Sequence, residues 1–308
     1  MGVMFLFPGQ GGQREGMLRE LPEHREVERT LEEASDTLGR DIHEFETAEA
    51  LRTTDNVQIC LCTAGVAVSR LLEAEGARPD FVGGHSAGAF AAAVSCGSLD
   101  FADALRLVRL RGRRMRSAYP SGYGMGVVTG LVRRQVEAVL SAAKLPVYIA
   151  NLNAPTQIAL AGELTALDAV LEACKAKGAN RASRLNMSVP SHCELLRPAA
   201  QALEEALDSV EVRDPSVPYA GNYKGRALRT AALVREDLAR NIAHTVRWHE
   251  VVTLFYELGA RLFLEMPPGQ ALTGLARAAF PDARAEALSV TRTDNAALLA
   301  RRERERRA

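Results

Sequence analysis

The chain has 308 residues, 47% of them hydrophobic, enough for a large core in one large domain or in a large domain with a smaller one. Its 38 basic and 38 acidic residues cancel, so bulk charge gives no footing for nucleic acid or an anionic membrane. Five cysteines (Cys60, Cys62, Cys96, Cys174, Cys193), an odd number set mostly in apolar stretches, argue against a disulfide framework and for a reducing compartment.

Residues 3–7 predict a short apolar strand, with no basic flank or signal-peptide pattern before it. It runs into Pro8-Gly9-Gln10-Gly11-Gly12-Gln13, too glycine-rich for helix or strand. Helical patterns follow at about 25–39 and 57–75. Cys60 and Cys62 lie in the second, without another pair at zinc spacing, so no metal site is expected. A strand near Phe81, a turn at Ser86 and helices over 87–95 and 101–117 come next. The middle third predicts strands over 124–131, 147–151, 157–161 and 182–189, with helices over 133–143 and 164–177. That β-α-β-β-α-β order is the ferredoxin-like unit. From about 190 the chain returns to alternating helix and strand.

The expected fold is therefore α/β: a large domain with a parallel sheet, residues 1–120 and 189–308, interrupted by a small ferredoxin-like α+β domain, residues 121–188. The turn at Ser86 and the residues after 190 would face the cleft between them, a favoured place for small-molecule sites. No run of 18 apolar residues occurs, so no membrane-spanning helix and a cytoplasmic location are expected. The arginine-rich tail, residues 295–308, reads as a solvated helix end or as a docking surface for an acidic partner.

The most informative stretch is Gly84-His85-Ser86-Ala87-Gly88, a G-x-S-x-G sequence between a strand and a helix start. Glycines at both ends let strand and helix approach closely around a strained turn. Such a turn lifts a serine hydroxyl out of the fold beside the N–H groups of a helix N-terminus. Ser86 is the candidate nucleophile; an ordinary turn serine is the alternative.

A serine needs a base. Among six histidines, His192 follows a predicted strand just beyond Pro190, where α/β folds display catalytic groups. The alternative is a packed histidine bonded to backbone. His85 adjoins the serine, but its side chain should diverge from it. His244 and His249 flank Trp248 on a predicted helix, and His24 and His43 lie in polar stretches.

Arg111 shares a helical stripe with Ala104, Leu107, Val108 and Met115, while Arg106, Arg109, Arg113 and Arg116 fall on the other side. A buried guanidinium requires an anionic partner, either a protein carboxylate or a substrate carboxylate held by a bidentate fork. The loop at 9–12 exposes N–H groups that could serve an oxyanion or a phosphate; a plain tight turn is the alternative.

Phe7-Pro8-Gly9-Gln10-Gly11, the serine pentapeptide, Arg111-Gly112 with Met115, Asn153 to Gln157, Ser191-His192 and Val246-Arg247-Trp248 occur in the order and rough spacing of malonyl-CoA:acyl-carrier-protein transacylases, and the chain resembles that family over nearly its whole length. The resemblance implies an α/β-hydrolase-like large domain, Ser86 as nucleophile, His192 as general base and the N–H groups of Gln10 and Ala87 as oxyanion hole. It further implies that Arg111 clamps the malonyl carboxylate, that Gln58 and His85 line the substrate site, and that the Asn241 backbone carbonyl orients His192. No permanently bound cofactor is implied; malonyl-CoA is the substrate. Ala87 and Ala89 stand where the fatty-acid-synthesis type usually has Leu and Glu. The segments at 88–94, 119–123 and 150–155 look more like the epsilon subunit of malonate decarboxylase, whose acceptor is the thiol of the decarboxylase's carrier subunit.

The reaction implied is ping-pong acyl transfer to an acyl carrier protein, with malonate decarboxylase as the expected setting and fatty-acid or polyketide synthesis as the alternative. A serine hydrolase acting on thioesters is a further alternative. It would need an acid between serine and histidine in sequence. Asp168, Glu172, Asp100 and Asp103 are available, none of them after a convincing strand.

Overall fold

A computed structural model describes residues 2–119 and 121–305; Pro120 of the 119–123 segment and residues 306–308 of the tail lie outside the described residues. The chain opens with β1 (Gly2–Phe7), α1 (Arg25–Leu38), α2 (Thr54–Ala74), β2 (Phe81–Gly84), α3 (Gly88–Ser95) and α4 (Phe101–Ala118). It continues through β3 (Tyr123–Thr129), α5 (Arg133–Ala143), β4 (Val147–Ala154), β5 (Gln157–Glu163), α6 (Leu164–Ala176) and β6 (Arg181–Arg184). It returns through α7 (Arg197–Leu207), β7 (Tyr219–Ala220), β8 (Ala227–Leu228), α8 (Ala231–Arg240), α9 (Trp248–Glu257), β9 (Ala260–Glu265), α10 (Ala271–Ala279), β10 (Arg284–Ala287) and α11 (Thr293–Glu305).

The larger sheet has the order β10-β9-β1-β2-β7-β8, parallel except for the β7–β8 pair. All six residues of β1 are buried, as expected for a central parallel strand covered on both faces. Alternation divides it: Val3, Phe5 and Phe7 enter the core with α2, α3, α4, α7 and α8, while Met4 and Leu6 pack with Trp248, Phe255 and Phe280. Against the sequence expectation, α2 is long and apolar enough to cross a membrane, with a mean hydropathy of 1.4. Its polar residues break any continuous apolar run, and 83% of that window is buried within the protein. It is the core helix between α1, α3 and α4.

The smaller sheet has the order β4-β5-β3-β6, antiparallel throughout, with α5 and α6 packed on one face. On the other face Met125, Ala150, Ala159 and Ala161 pack against Cys193. Two backbone bonds tie this sheet to the rest: Leu152 N–H to Val246 O at 2.8 Å and Val246 N–H to Ala150 O at 2.9 Å.

The strand expected over 182–189 ends at Arg184. Pairing with β3 stops at Gly126, and one further bond, Leu185 N–H to Met125 O at 2.8 Å, hands the chain to a loop. The loop must leave the sheet to cross back to the larger layer, and Pro190 has no N–H with which to continue a ladder. The tail through Glu305 is a docked helix: Ala296, Ala297 and Ala300 join the core and Arg301 bonds Glu75 O at 2.6 Å.

Candidate active site

β1 and β2 are parallel neighbours whose last residues, Phe7 and Gly84, lie side by side. Their following loops therefore emerge together at the carboxyl edge of the sheet, where open α/β sheets bind ligands. Both glycines of the pentapeptide are required by close approach. A Cβ on Gly84 would lie 2.1 Å from Gly88 O, and one on Gly88 2.1 Å from Phe7 O. Between them Ser86 has φ 55°, in the left-handed region that a non-glycine residue enters at a cost of roughly 1–3 kcal/mol.

Ser86 Oγ lies 2.7 Å from His192 Nε2, and His192 Nδ1 lies 2.7 Å from Asn241 O. A carbonyl only accepts, so Nδ1 carries the proton and Nε2 is free to accept from the serine hydroxyl. His192 is buried, which pushes its pKa down to about 3, with the nearby Arg111 charge acting in the same direction. The imidazole is neutral at physiological pH, as a general base must be. Its placement owes less to a strand end than the sequence suggested: the loop carries it with φ 63°, and its N–H is held by Ile242 O at 2.8 Å.

Arg111 reaches the same point from α4. Its Nη2 lies 3.2 Å from Ser86 Oγ, and its Nη1 lies 2.9 Å from Gln58 Oε1 and 3.4 Å from Met115 Sδ. The side chain is wholly buried and forms no ion pair among the described residues. Burial alone lowers its pKa to about 9. Its Nε has no partner. Of the two partners left open by the sequence, a protein carboxylate is not found among the described residues, which leaves a substrate anion as the candidate. Gln58, on α2, also reaches toward Gln10 Oε1 at 3.5 Å. α2 and α4 meet this closely because Gly112 has no side chain: a Cβ there would lie 2.3 Å from Asp55 Cα.

The backbone N–H groups of Gln10 and Ala87 donate to no acceptor among the described residues. Ala87 caps the N-terminal end of α3, and the Gln10 loop is pressed on the elbow, with Gly9 so near that a Cβ would lie 2.9 Å from His85 O. His85 turns away from Ser86. Its Nε2 meets Asn153 Oδ1 at 3.0 Å, and its ring sits edge-on to Trp248. Burial lowers its pKa, partly opposed by the Asn153 bond. It lines a cavity of about 880 Å³ with Gln10, Asn153, Gln157 and Gln270. A second cavity, about 440 Å³, reaches Gln10 from the other side beside Met115 and Ser191.

The four acids considered as partners for His192 are engaged elsewhere: Asp168 with Arg184, Glu172 with Lys175, Asp100 with Arg213 and Asp103 with Arg106. The side chains of the histidines other than His85 and His192 are placed elsewhere. His24 caps α1, His43 meets Glu46, His244 bonds Arg240 O, and His249 is half-buried on α9.

Sequence reading missed Asn222 and Asp237, which stand behind the elbow. Asn222 Oδ1 accepts from Ser86 N–H at 3.0 Å, and its Nδ2 donates to Gly84 O at 2.9 Å. The signal was weak, because β7 before it is only two residues long.

Residues 4–307 match the acyl transferase domain family. The malonyl CoA-acyl carrier protein transacylase of Salmonella typhimurium is 38% identical over 302 residues, covering 96% of this chain and 98% of the relative. That of Bacillus subtilis is 37% identical over 284 residues, covering 89% of each. Among solved structures, the malonyl CoA-acyl carrier protein transacylase from Coxiella burnetii superposes with a TM-score of 0.92 at 34% identity, covering 97% of this chain and 98% of its own. A malonyl-transacylase in complex with its type II PKS acyl-carrier protein gives a TM-score of 0.92 at 37% identity, covering 97% and 99%.

Proposed function

The chain belongs to the acyl transferase domain family, and from that premise we propose that it is an acyl-carrier-protein S-malonyltransferase that moves a malonyl group from malonyl-CoA through Ser86 to a carrier thiol. One observation supports this reading above the others: a wholly buried arginine without a carboxylate, 3.2 Å from the nucleophile. An anionic substrate would supply the counter-charge it lacks.

In the first half-reaction His192 Nε2 takes the Ser86 proton as Oγ attacks the thioester carbon. The oxyanion meets the unengaged N–H groups of Gln10 and Ala87, each such donor being worth about 3 kcal/mol. The C–S bond breaks, His192 returns the proton to the CoA sulfur, and malonyl-Ser86 remains. In the second half the carrier thiol gives its proton to His192 and attacks the ester carbon. The C–O bond breaks and Ser86 recovers the proton. Arg111 holds the malonyl carboxylate throughout, with Gln58 fixing the guanidinium. The Asn241 carbonyl keeps the proton on Nδ1 without a third, acidic residue.

For the acceptor, a carrier of fatty-acid or polyketide synthesis is favoured over the carrier subunit of malonate decarboxylase. The relatives named above are malonyl CoA-acyl carrier protein transacylases, and one is bound to a polyketide carrier. Of the features that pointed toward the decarboxylase, Ala87, Ala89 and the segments at 88–94, 119–123 and 150–155, the two alanines are buried and so belong to core packing rather than to a surface that a carrier would touch. A hydrolase is disfavoured by the lack of an acid on His192.

Incubation with malonyl-CoA should leave a malonyl adduct on Ser86, absent in Ser86→Ala. That adduct should discharge to a fatty-acid or polyketide carrier faster than to water. Discharge to water at an equal rate would make the protein a thioesterase, and discharge to a decarboxylase carrier alone would reverse the choice of acceptor.

A further inference from the structure

We propose that Asp237 is a positioning residue of the acyl-transfer site, fixing the amide of Asn222 that holds the Ser86 elbow from the same helix whose end holds His192. The inference rests on the acyl-transfer reading for its substrate, and on geometry for its mechanism.

The Ser86 turn is strained and needs fixing from outside. Asn222 supplies this: its amide grips the two peptide groups that flank His85, accepting from Ser86 N–H and donating to Gly84 O. An amide has two unlike ends. Rotated by half a turn, its oxygen would face Gly84 O and its NH₂ would face Ser86 N–H, losing both bonds. Something must therefore decide which way it points. Asn222 is wholly buried, so water does not decide.

Asp237 does. Its Oδ2 lies 3.4 Å from Asn222 Nδ2, taking the second amide hydrogen, and its Oδ1 accepts from Tyr223 N–H at 3.2 Å. Tyr219 Oη stands 3.5 Å from Oδ2. The carboxyl is buried and has no cation among the ion pairs of the described residues; burial raises its pKa to about 7. In its protonated form, Oδ2 can donate to the Tyr219 oxygen, whose own hydrogen turns to Ala89 O at 3.3 Å. A lone pair then still faces the amide. In both states the aspartate presents an acceptor to Asn222.

Asp237 and Asn241 are one helical turn apart at the end of α8. Asn241 O holds His192 Nδ1, and Ile242 O holds His192 N–H. α8 and the turn that follows it thus set nucleophile and base against each other, the first through Asp237 and Asn222, the second through the carbonyls of Asn241 and Ile242. The 2.7 Å Ser86–His192 bond lies between these two attachments.

The test is a double-mutant cycle on single-turnover acylation of Ser86 by malonyl-CoA, read by intact-protein mass spectrometry. Asp237→Asn leaves one acceptor oxygen for two donors, Asn222 Nδ2 and Tyr223 N–H, at nearly constant volume. Asp237→Asn and Asn222→Ala should each lower the saturating acylation rate by at least about tenfold, with half-saturating malonyl-CoA changed by less than about threefold. In the Asn222→Ala background, Asp237→Asn should add less than about twofold, because its route to Ser86 is already cut. Asp237→Ala, which offers no acceptor, enters the same cycle with the same criteria. An unchanged rate in Asp237→Ala, a loss confined to half-saturation, or full multiplication of the two effects would overturn the proposal. The cycle is repeated with an alkyl fluorophosphonate, which reads the Ser86–His192 pair without a malonyl group. A wild-type protein that takes the phosphonate but no malonyl group refutes the proposed substrate, while the phosphonate cycle still decides the role of Asp237.

Discussion

Arg111 Nη2 stands 3.2 Å from Ser86 Oγ, so the buried cation and the nucleophile occupy one small space. A malonyl group esterified to Ser86 carries its free carboxylate only a few bonds from that oxygen, within reach of the guanidinium. In the proposed reaction, acyl attachment and recognition of the acid would take place at the same point.

Loss of this cation should change substrate choice more than stability. A site built around a charge rejects a ligand lacking it, because its own group stays unpaired. Arg111→Ala should shift the malonyl-to-acetyl ratio of kcat/KM by at least about tenfold, about 1.4 kcal/mol. Lys at 111 should restore only part, since an ammonium cannot form the planar fork. A lowered Tm with an unchanged ratio would show that Arg111 is merely structural.

His192→Ala should remove most acyl transfer, typically a hundredfold or more for a general base. His249→Ala should retain activity within about twofold, since His249 is half-buried on α9 outside the bonded set of Ser86, His192 and Arg111. Steady-state transfer rates of the two purified variants settle the assignment; equal losses would contradict it.

The pH profile follows from two lowered pKa values. Burial first and Arg111 second take His192 down to about 3, so the free base persists as pH falls through the ordinary histidine range. Acylation kcat/KM should show no inflection near 6.5 between pH 5 and 8. On the alkaline side, Arg111 in the empty site loses its proton near 9, which removes the attraction for the malonyl carboxylate. The malonyl-to-acetyl ratio should therefore fall as pH rises through about 9. A ratio that stays level to pH 10 would mean that Arg111 keeps its charge.

Gly112→Ala should push α4 away from α2, since its Cβ would meet Asp55 Cα at 2.3 Å. Backbone cannot yield as a side-chain tip does, so overpacking of about 1–3 kcal/mol is expected. The shift should also part Arg111 from Gln58, raising KM for malonyl-CoA more than for acetyl-CoA. A variant with native Tm and native KM values would show that the helices can separate freely.

The local chemistry was written in the sequence because its causes are local. Gly84 and Gly88 announce a close approach, and the structure has Cβ-forbidding contacts at both. The stripe of Ala104, Leu107, Val108 and Met115 predicts that Arg111 points inward, and α4 buries it. The βαββαβ order was legible from periodicity, down to a four-stranded sheet of ferredoxin-like order. The loop at 185–189 was not, since its residues are apolar enough for a strand and only the crossing between sheets forbids one. Neither were the partners of the charged groups. Whether Arg111 has a protein carboxylate depends on which helices surround it. The Asn241 carbonyl, 49 residues from His192, was named only through the family resemblance and by no local pattern, because the contact depends on where α8 ends. Asn222 and Asp237 lie 136 and 151 positions beyond Ser86, in a segment with little regular structure before it, and carry no pattern of their own. Side-chain direction is set by a few neighbouring residues and can be read from them. A hydrogen bond between distant segments exists only once the whole chain has packed, and there the tertiary structure alone decides.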